Sequence, residues 1–216
     1  MAHDIYDDRI HAGEVLAGLL KPKELVDPIV LALPRGGVPL AVIVAATLNA
    51  PLDLLIVRKI GTPGNPELAA GAIVDGDPPV TVFNDDVMQM RGIAEDDLTD
   101  IIKTKKAEVA DRRILYYNDR TPLPVQGKTV VVVDDGMATG ATALAAIRGL
   151  NQRKPRRIIL ALPIASREAL ERLRPEVDDI ICPMVPDYFY AVGSYYKRFG
   201  QVSDEEVIEI LRTYRA

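Results

Sequence analysis

Short, unbroken runs of apolar residues punctuate this chain, each closing at a polar or glycine-rich turn. Residues 29–33 form the first run, followed by Pro34-Arg35-Gly36-Gly37 and a helix predicted over 38–48. Residues 52–57 form the second, ending at Arg58-Lys59. Residues 129–133 form the third, ending at Asp134-Asp135-Gly136 and leading into a helix over 141–151. Residues 157–162 and 177–182 complete the set. Continuous rather than alternating runs suit strands buried on both faces. Runs that alternate with helices predict an α/β fold: a doubly wound, mostly parallel five-stranded sheet with helices on both faces.

About seventy residues separate the second strand from the third, more than one crossover requires. Within them, residues 68–74 and 80–83 read as short strands joined at Asp75-Gly76-Asp77-Pro78-Pro79. Asn84 or Asp85 is placed to cap a short helix, and a heavily charged helix is predicted over about 95–117. Residues 62–126 therefore read as a small hood or flap, with the long helix, inserted in a single domain spanning 1–216. Thr62-Pro63-Gly64-Asn65-Pro66-Glu67 is placed to act as a cover, with Gly61 and Gly64 as hinges. Ser203-Asp204-Glu205-Glu206 has the capping-box pattern that opens a surface helix.

Composition narrows the chemistry. A net charge of −5 argues against a broad nucleic-acid footprint, but focused cations can still hold a phosphorylated small molecule. The two histidines, His3 and His11, both lie near the N-terminus, so neither a histidine-rich metal site nor a Ser-His-Asp triad is expected. The single Cys182 sits in an apolar run and reads as a buried, inert thiol. No run reaches the roughly 20 apolar residues of a membrane helix, and residues 1–4 lack the start of a secretory signal. A cytoplasmic protein is expected.

The sharpest motif is Val130-Val131-Val132-Val133-Asp134-Asp135-Gly136-Met137-Ala138-Thr139-Gly140-Ala141-Thr142. A buried strand here feeds a small-residue turn and then a helix, whose first N–H groups suit a phosphate. Small residues let a ligand approach the backbone, and the Thr139 and Thr142 hydroxyls can donate to phosphate oxygens. Two acids beside an anion site repel it unless they have another task. Accepting from ribose hydroxyls, directly or through water on a bound Mg2+, is such a task. The spacing is neither G-x-G-x-x-G nor a P-loop, while an isolated Asp-Asp-Gly would be only a polar turn.

The full string resembles the signature with which type I phosphoribosyltransferases bind 5-phosphoribosyl-1-pyrophosphate (PRPP). The resemblance implies that Asp134 and Asp135 bind the ribose hydroxyls, and Mg2+ directly or through water, while Ala138, Thr139, Gly140, Ala141 and Thr142 cradle the 5′-phosphate. Members acting on 6-oxopurines carry a further acid at the position of Ala138, so hypoxanthine and guanine are disfavoured as acceptors. Arg35-Gly36-Gly37 occupies the position of the family's pyrophosphate loop and reads as an anion nest. By resemblance its Arg35–Gly36 bond is where a cis peptide is expected. Arg58-Lys59 resembles the Arg-Lys that adenine-type members set against pyrophosphate; ordinary surface charge is the alternative. Arg35, Arg58, Lys59, Asp134 and Asp135 are thus the catalytic candidates, and the PRPP contacts add Gly36, Gly37, Gly136 and Met137.

Six of the eleven aromatic residues lie between positions 188 and 199. Asp187, Tyr188 and Phe189 are the acceptor candidates, whereas Tyr195, Tyr196 and Phe199 read as a satellite core anchoring the C-terminal helix. Leu33-Pro34-Arg35-Gly36-Gly37-Val38, the Arg58 to Glu67 segment, the Asp-Asp-Gly loop and Phe189-x-Ala191-Val192-Gly193 together look like a branch of the superfamily without an assigned acceptor. Some of its members occur fused to hydrolase domains. The resemblance covers about residues 6–211 and implies a homodimer. It implies transfer of a phosphoribosyl group to a nitrogenous small-molecule acceptor. A PRPP- or nucleotide-binding regulator without turnover is the alternative, and a partner domain for a separate hydrolase is a third reading.

Overall fold

A computed structural model describes residues 5–117 and 121–214. Residues 1–4, including His3, and residues 118–120 of the insertion lie outside the described residues. The main sheet contains β1 (Pro28–Ala32), β2 (Leu52–Leu54), β6 (Thr129–Val133), β7 (Arg157–Ala161) and β8 (Asp179–Ile181). All neighbours are parallel, in the order β2-β1-β6-β7-β8. Alternate residues of each strand enter opposite cores. Val30, Ala32, Val131, Val133, Ile159 and Ala161 pack with α1 (Arg9–Leu20) and α2 (Val38–Leu48). Ile29, Leu31, Val130, Val132, Ile158 and Leu160 pack with α5 (Ala141–Asn151) and α6 (Arg167–Leu173). Period-two alternation between two apolar faces explains why the strands read as continuous apolar runs. The expected doubly wound sheet is present.

A second sheet is antiparallel and contains β3 (Val57–Thr62), β4 (Asn65–Val74) and β5 (Val80–Phe83). Here the second predicted strand needs correcting. The run 52–57 is not one strand: β2 stops at Leu54, and β3 starts the other sheet at Val57. Leu55 and Ile56, buried at the junction, donate and accept across both sheets, with Leu55 N–H to the Ala32 carbonyl and Asp75 N–H to the Ile56 carbonyl. The segment expected as a cover is a hairpin tip, closed by the Thr62 hydroxyl donating to the Asn65 carbonyl at 3.0 Å.

After α3 (Asp85–Arg91), a short 3-10 turn over Glu95–Leu98 leads into α4 (Thr99–Tyr117). Asn84 is the cap position of α3, although its side chain makes no cap bond. Arg113 of α4 joins the sheets: it lies 2.8 Å from Asp53 of β2 and 2.5 Å from Asp75, just beyond β4. The Asp53 carboxylate also accepts from the Leu123 N–H at 2.7 Å. The last helix, α7 (Asp204–Tyr214), packs on α2 and α4. Its capping box is formed, with Glu206 N–H donating to Ser203 Oγ and Ser203 N–H to Glu206 Oε2. No helix among the described residues is long and apolar enough to cross a membrane.

Candidate active site

Crossovers leave the main sheet in opposite directions from β1 and β6, so a crevice opens at their carboxyl ends. Both principal motifs emerge there. The cationic turn follows β1 and is pressed against the end of β6. A Cβ on Gly37 would sit 2.5 Å from the Val133 carbonyl oxygen, and one on Gly36 would strike the Asp135 carboxylate. Close approach is therefore what requires these glycines. The Gly37 N–H is committed to the Leu33 carbonyl at 3.1 Å, so any amides this turn offers an anion belong to Arg35 and Gly36. The cis peptide is Pro34–Arg35, one bond earlier than the resemblance implied.

Asp134 and Asp135 lie partly buried at the mouth of the crevice. Burial and the neighbouring Asp135 charge push the Asp134 carboxyl well above its ordinary value; its Oδ1 accepts from the Asp135 N–H at 2.9 Å. Burial raises Asp135 too, opposed by Arg9, whose Nε and Nη2 both lie 2.8 Å from Oδ2. Arg9 also donates to the Gly200 carbonyl at 2.7 Å and stacks 3.9 Å from the Phe199 ring centroid. The Tyr196 hydroxyl donates to the Asp135 carbonyl at 2.5 Å. Arg9 and Tyr196 are absent from the sequence-derived site because both act across long separations in the chain.

The loop after the acids is held by its carbonyls. Met137 C=O accepts from Ser166 N–H at 2.9 Å, and Ala138 C=O from Ser166 Oγ at 2.5 Å. Thr139 C=O accepts from Arg172 Nη1 at 2.9 Å. In a trans peptide the following N–H points opposite to the carbonyl. The amides of Ala138, Thr139 and Gly140 therefore turn away from α6 together. Gly140 begins α5 in a left-handed conformation, φ 72°, and provides no side-chain cap. Gly140 thus gives the first-turn N–H groups no side-chain oxygen, and the Thr139 and Thr142 side chains are exposed beside them. Successive outward amides at a helix start form a cradle for a phosphate. Ser166 and Arg172 hold this loop through its carbonyls, and Arg172 also lines the space beside Thr142. Ser166, which caps α6 by accepting from the Ala169 N–H, and its hold on the loop are both absent from the sequence reading.

Arg58 and Lys59 do not close a strand of the main sheet; they lie within β3 and point to opposite sides. Arg58 turns to α4, with Nε 3.6 Å from Glu108 Oε2. Lys59 lines a cavity of about 490 Å3 between the small sheet and α5, together with Thr142, Arg148 and Arg172. The structure thus brings Lys59, and not Arg58, to the phosphate-loop side.

A family model for the phosphoribosyl transferase domain matches residues 8–196. The chain belongs to the phosphoribosyl transferase family. Two Mycobacterium tuberculosis proteins, from strains CDC 1551 and H37Rv, each carrying the name "Putative phosphoribosyl transferase", are 40% identical over 207 residues. The match covers 96% of this chain and 46% of theirs, so the chain spans about half the length of these curated relatives. The crystal structure of TT1426 from Thermus thermophilus superposes with a TM-score of 0.86 at 41% identity, covering 97% of this chain and 99% of that one. A hypoxanthine phosphoribosyltransferase from Staphylococcus aureus shares the type I fold, with a TM-score of 0.50 at 11% identity over 86% of this chain and 77% of its own.

The segment after β8 approaches the acidic loop through Val192. A Cβ on Gly136, whose φ is 151°, would lie 2.5 Å from Val192 Cγ1 and 2.8 Å from Ile164 Cγ2. Of the three acceptor candidates, Asp187 is exposed 3.5 Å from Arg167, and Tyr188 is 83% exposed. Phe189 stacks on Tyr195 with ring centroids 5.6 Å apart. The satellite core has a different client from the one expected. Tyr196 packs on Tyr6 and Phe199, while Tyr6 N–H donates to the Tyr195 carbonyl, so the cluster anchors the N-terminal segment. Cys182 is half-buried, and burial pushes its thiol up to about 12.

Proposed function

We propose that the chain binds PRPP with Mg2+ and transfers its 5-phosphoribosyl group to a nitrogenous small molecule, releasing pyrophosphate. The observation that carries this reading is the convergence at the β1–β6 crevice. An arginine-bearing turn packs directly against a carboxylate pair at the ends of the neighbouring strands β1 and β6, and a row of outward amides follows in the same loop as the acids. These are partners for pyrophosphate, ribose hydroxyls and 5′-phosphate respectively.

In this reading Asp134 and Asp135 accept from the ribose hydroxyls, and the loop from Ala138 to Thr142 holds the 5′-phosphate. Arg35 meets the departing pyrophosphate, while Lys59 of β3 faces the cavity beside Thr142 and Arg58 of β3 is turned against α4. The donor set suits Mg2+. Burial and mutual repulsion leave the acid pair under-neutralised by Arg9 alone, and a hard cation held by few carboxylates completes its shell with water and substrate oxygens. The metal, when bound, supplies charge stabilisation to the leaving pyrophosphate. The C1–O bond to pyrophosphate breaks as a C1–N bond forms, and the acceptor nitrogen loses its proton. An oxocarbenium-like transition state asks for positioning and anion stabilisation rather than a protein nucleophile. The acceptor lies against Val192 and Gly136, with Asp187, Tyr188 and Phe189 on the segment leading to them.

The test incubates purified protein with PRPP, Mg2+ and a panel of bases, scoring nucleotide and pyrophosphate together. Equal yields of the two from one acceptor are expected. Absence of PRPP binding by calorimetry would sink the proposal, whereas binding without product from any acceptor would favour a PRPP-responsive regulator. A homodimer belongs to the same reading and is checked by sedimentation equilibrium.

A further inference from the structure

One carboxylate gathers two hydrogen-bond donors and a further cation beside the cationic turn. Asp204, the first residue of α7, holds Oδ1 2.6 Å from the Tyr116 hydroxyl and 2.8 Å from Arg112 Nη1. The same oxygen lies 3.6 Å from Arg35 Nη1. Arg112 and Tyr116 stand one turn apart on α4, while Arg35 immediately precedes the glycine packed against Asp135. Arg112 Nη1 is also 2.8 Å from Oδ2, so two donors from α4 and, at ion-pair distance, the Arg35 guanidinium surround this carboxylate at the outer edge of the turn. That position is open to ligands: the Arg35, Arg112 and Asp204 side chains are 33%, 35% and 27% exposed.

Two guanidinium groups share this one carboxylate, which leaves positive charge over. The other acids around it are already engaged or exposed: Glu205 and Glu206 are exposed on the first turn of α7, with Glu206 in the Ser203 cap, Glu108, one turn before Arg112, pairs with Lys105, and Asp135, packed on Gly36, pairs with Arg9. Tyr116 remains a donor at neutral pH, since burial and Asp204 push its hydroxyl up to about 12. Asp204 stays ionised: Tyr116 and Arg112 hold its carboxyl below the usual value.

We propose that Arg112 and Tyr116 extend the pyrophosphate-binding part of the crevice, and that Asp204 Oδ1 marks the position an oxygen of the pyrophosphate group takes on binding. The inference rests on the assignment of the Arg35 turn to pyrophosphate. Asp204 then acts as an internal competitor. Pyrophosphate carries more charge than one carboxylate and offers several oxygens, so it interacts more strongly with a pair of guanidinium groups. The Asp204 carboxylate is displaced, and its residual repulsion weakens binding. A carboxylate that merely oriented Arg35 and Arg112 would have the opposite effect, because its removal would loosen both cations.

That difference in sign provides the test. Magnesium pyrophosphate is titrated calorimetrically into wild type, Asp204→Asn and Arg112→Gln, with thermal midpoints measured alongside. Asp204→Asn is expected to bind about threefold tighter or better, an outcome that damage to the fold does not imitate. Arg112→Gln is expected to bind about tenfold more weakly. Unchanged or weakened binding in Asp204→Asn overturns the proposal, as does unchanged binding in a folded Arg112→Gln. Parallel titration with PRPP separates the two ideas. PRPP binding by wild type with no response to either substitution overturns this inference alone. Tighter pyrophosphate binding in Asp204→Asn without any PRPP binding overturns the transferase reading alone.

Discussion

A Cβ placed on Gly36 would sit 2.1 Å from Asp135 Oδ2, so the cationic turn and the acidic loop touch with no room for a methyl group between them. The turn is also pinned to β6 by the Leu33 N–H, which donates to the Val133 carbonyl at 2.9 Å. Gly36→Ala must therefore push the Asp135 carboxylate aside. It is expected to cost about 1–3 kcal/mol of stability and to weaken PRPP binding by about tenfold or more. Gly18→Ala is the control, because a Cβ there meets nothing within 4 Å and replaces a helical glycine. It should stabilise by up to about 1 kcal/mol and leave binding alone. Urea denaturation and calorimetry check both.

Asp134 should set binding against stability. Its carboxyl is raised by burial and by Asp135, so the folded state holds that proton more tightly than the unfolded chain does. The associated stability is complete below the ordinary value of 3.8 and is lost as pH rises through the raised value. At neutral pH the charged group therefore opposes folding. Asp134→Asn is expected to raise the thermal midpoint at pH 7 while weakening PRPP binding, and the gain should shrink towards zero near pH 3. A midpoint lowered at pH 7 would show that the carboxylate is stabilised by more than its surroundings reveal.

Arg9→Gln should damage the site from a distance. It leaves Asp135 partly buried without its ion-pair partner, at an expected cost of about 1–3 kcal/mol. PRPP affinity should fall while the secondary structure, followed by circular dichroism, is unchanged.

Arg113→Leu removes the one cation shared by two buried acids, Asp53 and Asp75, whose side chains are 5% and 6% exposed. Burial already lifts the Asp75 carboxyl despite Arg113. The expected loss is about 3–5 kcal/mol, read from denaturant unfolding.

Cys182 should resist alkylation in the native protein across pH 7–10, because its thiol titrates only near about 12. Iodoacetamide trapping should label the urea-unfolded chain promptly and the native chain slowly. Equal rates would show that the thiol is readily reached in the folded protein.

The main sheet was legible in the sequence because each strand is apolar on both faces, and the two glycine-rich strand ends announced the crevice between them. The change of sheet within residues 52–57 was not legible. Leu55 and Ile56 are buried at the junction like the strand residues around them, at 1% exposure each, so hydrophobicity does not mark where one sheet ends and the next begins. That error put Arg58 and Lys59 on the wrong sheet. Arg9, Ser166, Arg172 and Tyr196 escaped for another reason. Each acts on the loop after β6 from at least 28 residues away, and no local pattern records such a contact. Helices α1 and α6 were missed as elements, and with them two of those four residues.

Asp135 is steadied from both sides of the sequence, by Arg9 before it and by Tyr196 and the Gly200 carbonyl after it. During synthesis Arg9 is available as soon as the acidic loop emerges, but Tyr196 follows Asp135 by 61 residues. A nascent chain halted shortly after α5 would own both glycine-rich turns and still lack the groups that hold its acids in place. Ligand-dependent protection from protease should therefore begin only when the aromatic segment around Tyr196 has left the ribosome, later than both glycine-rich turns.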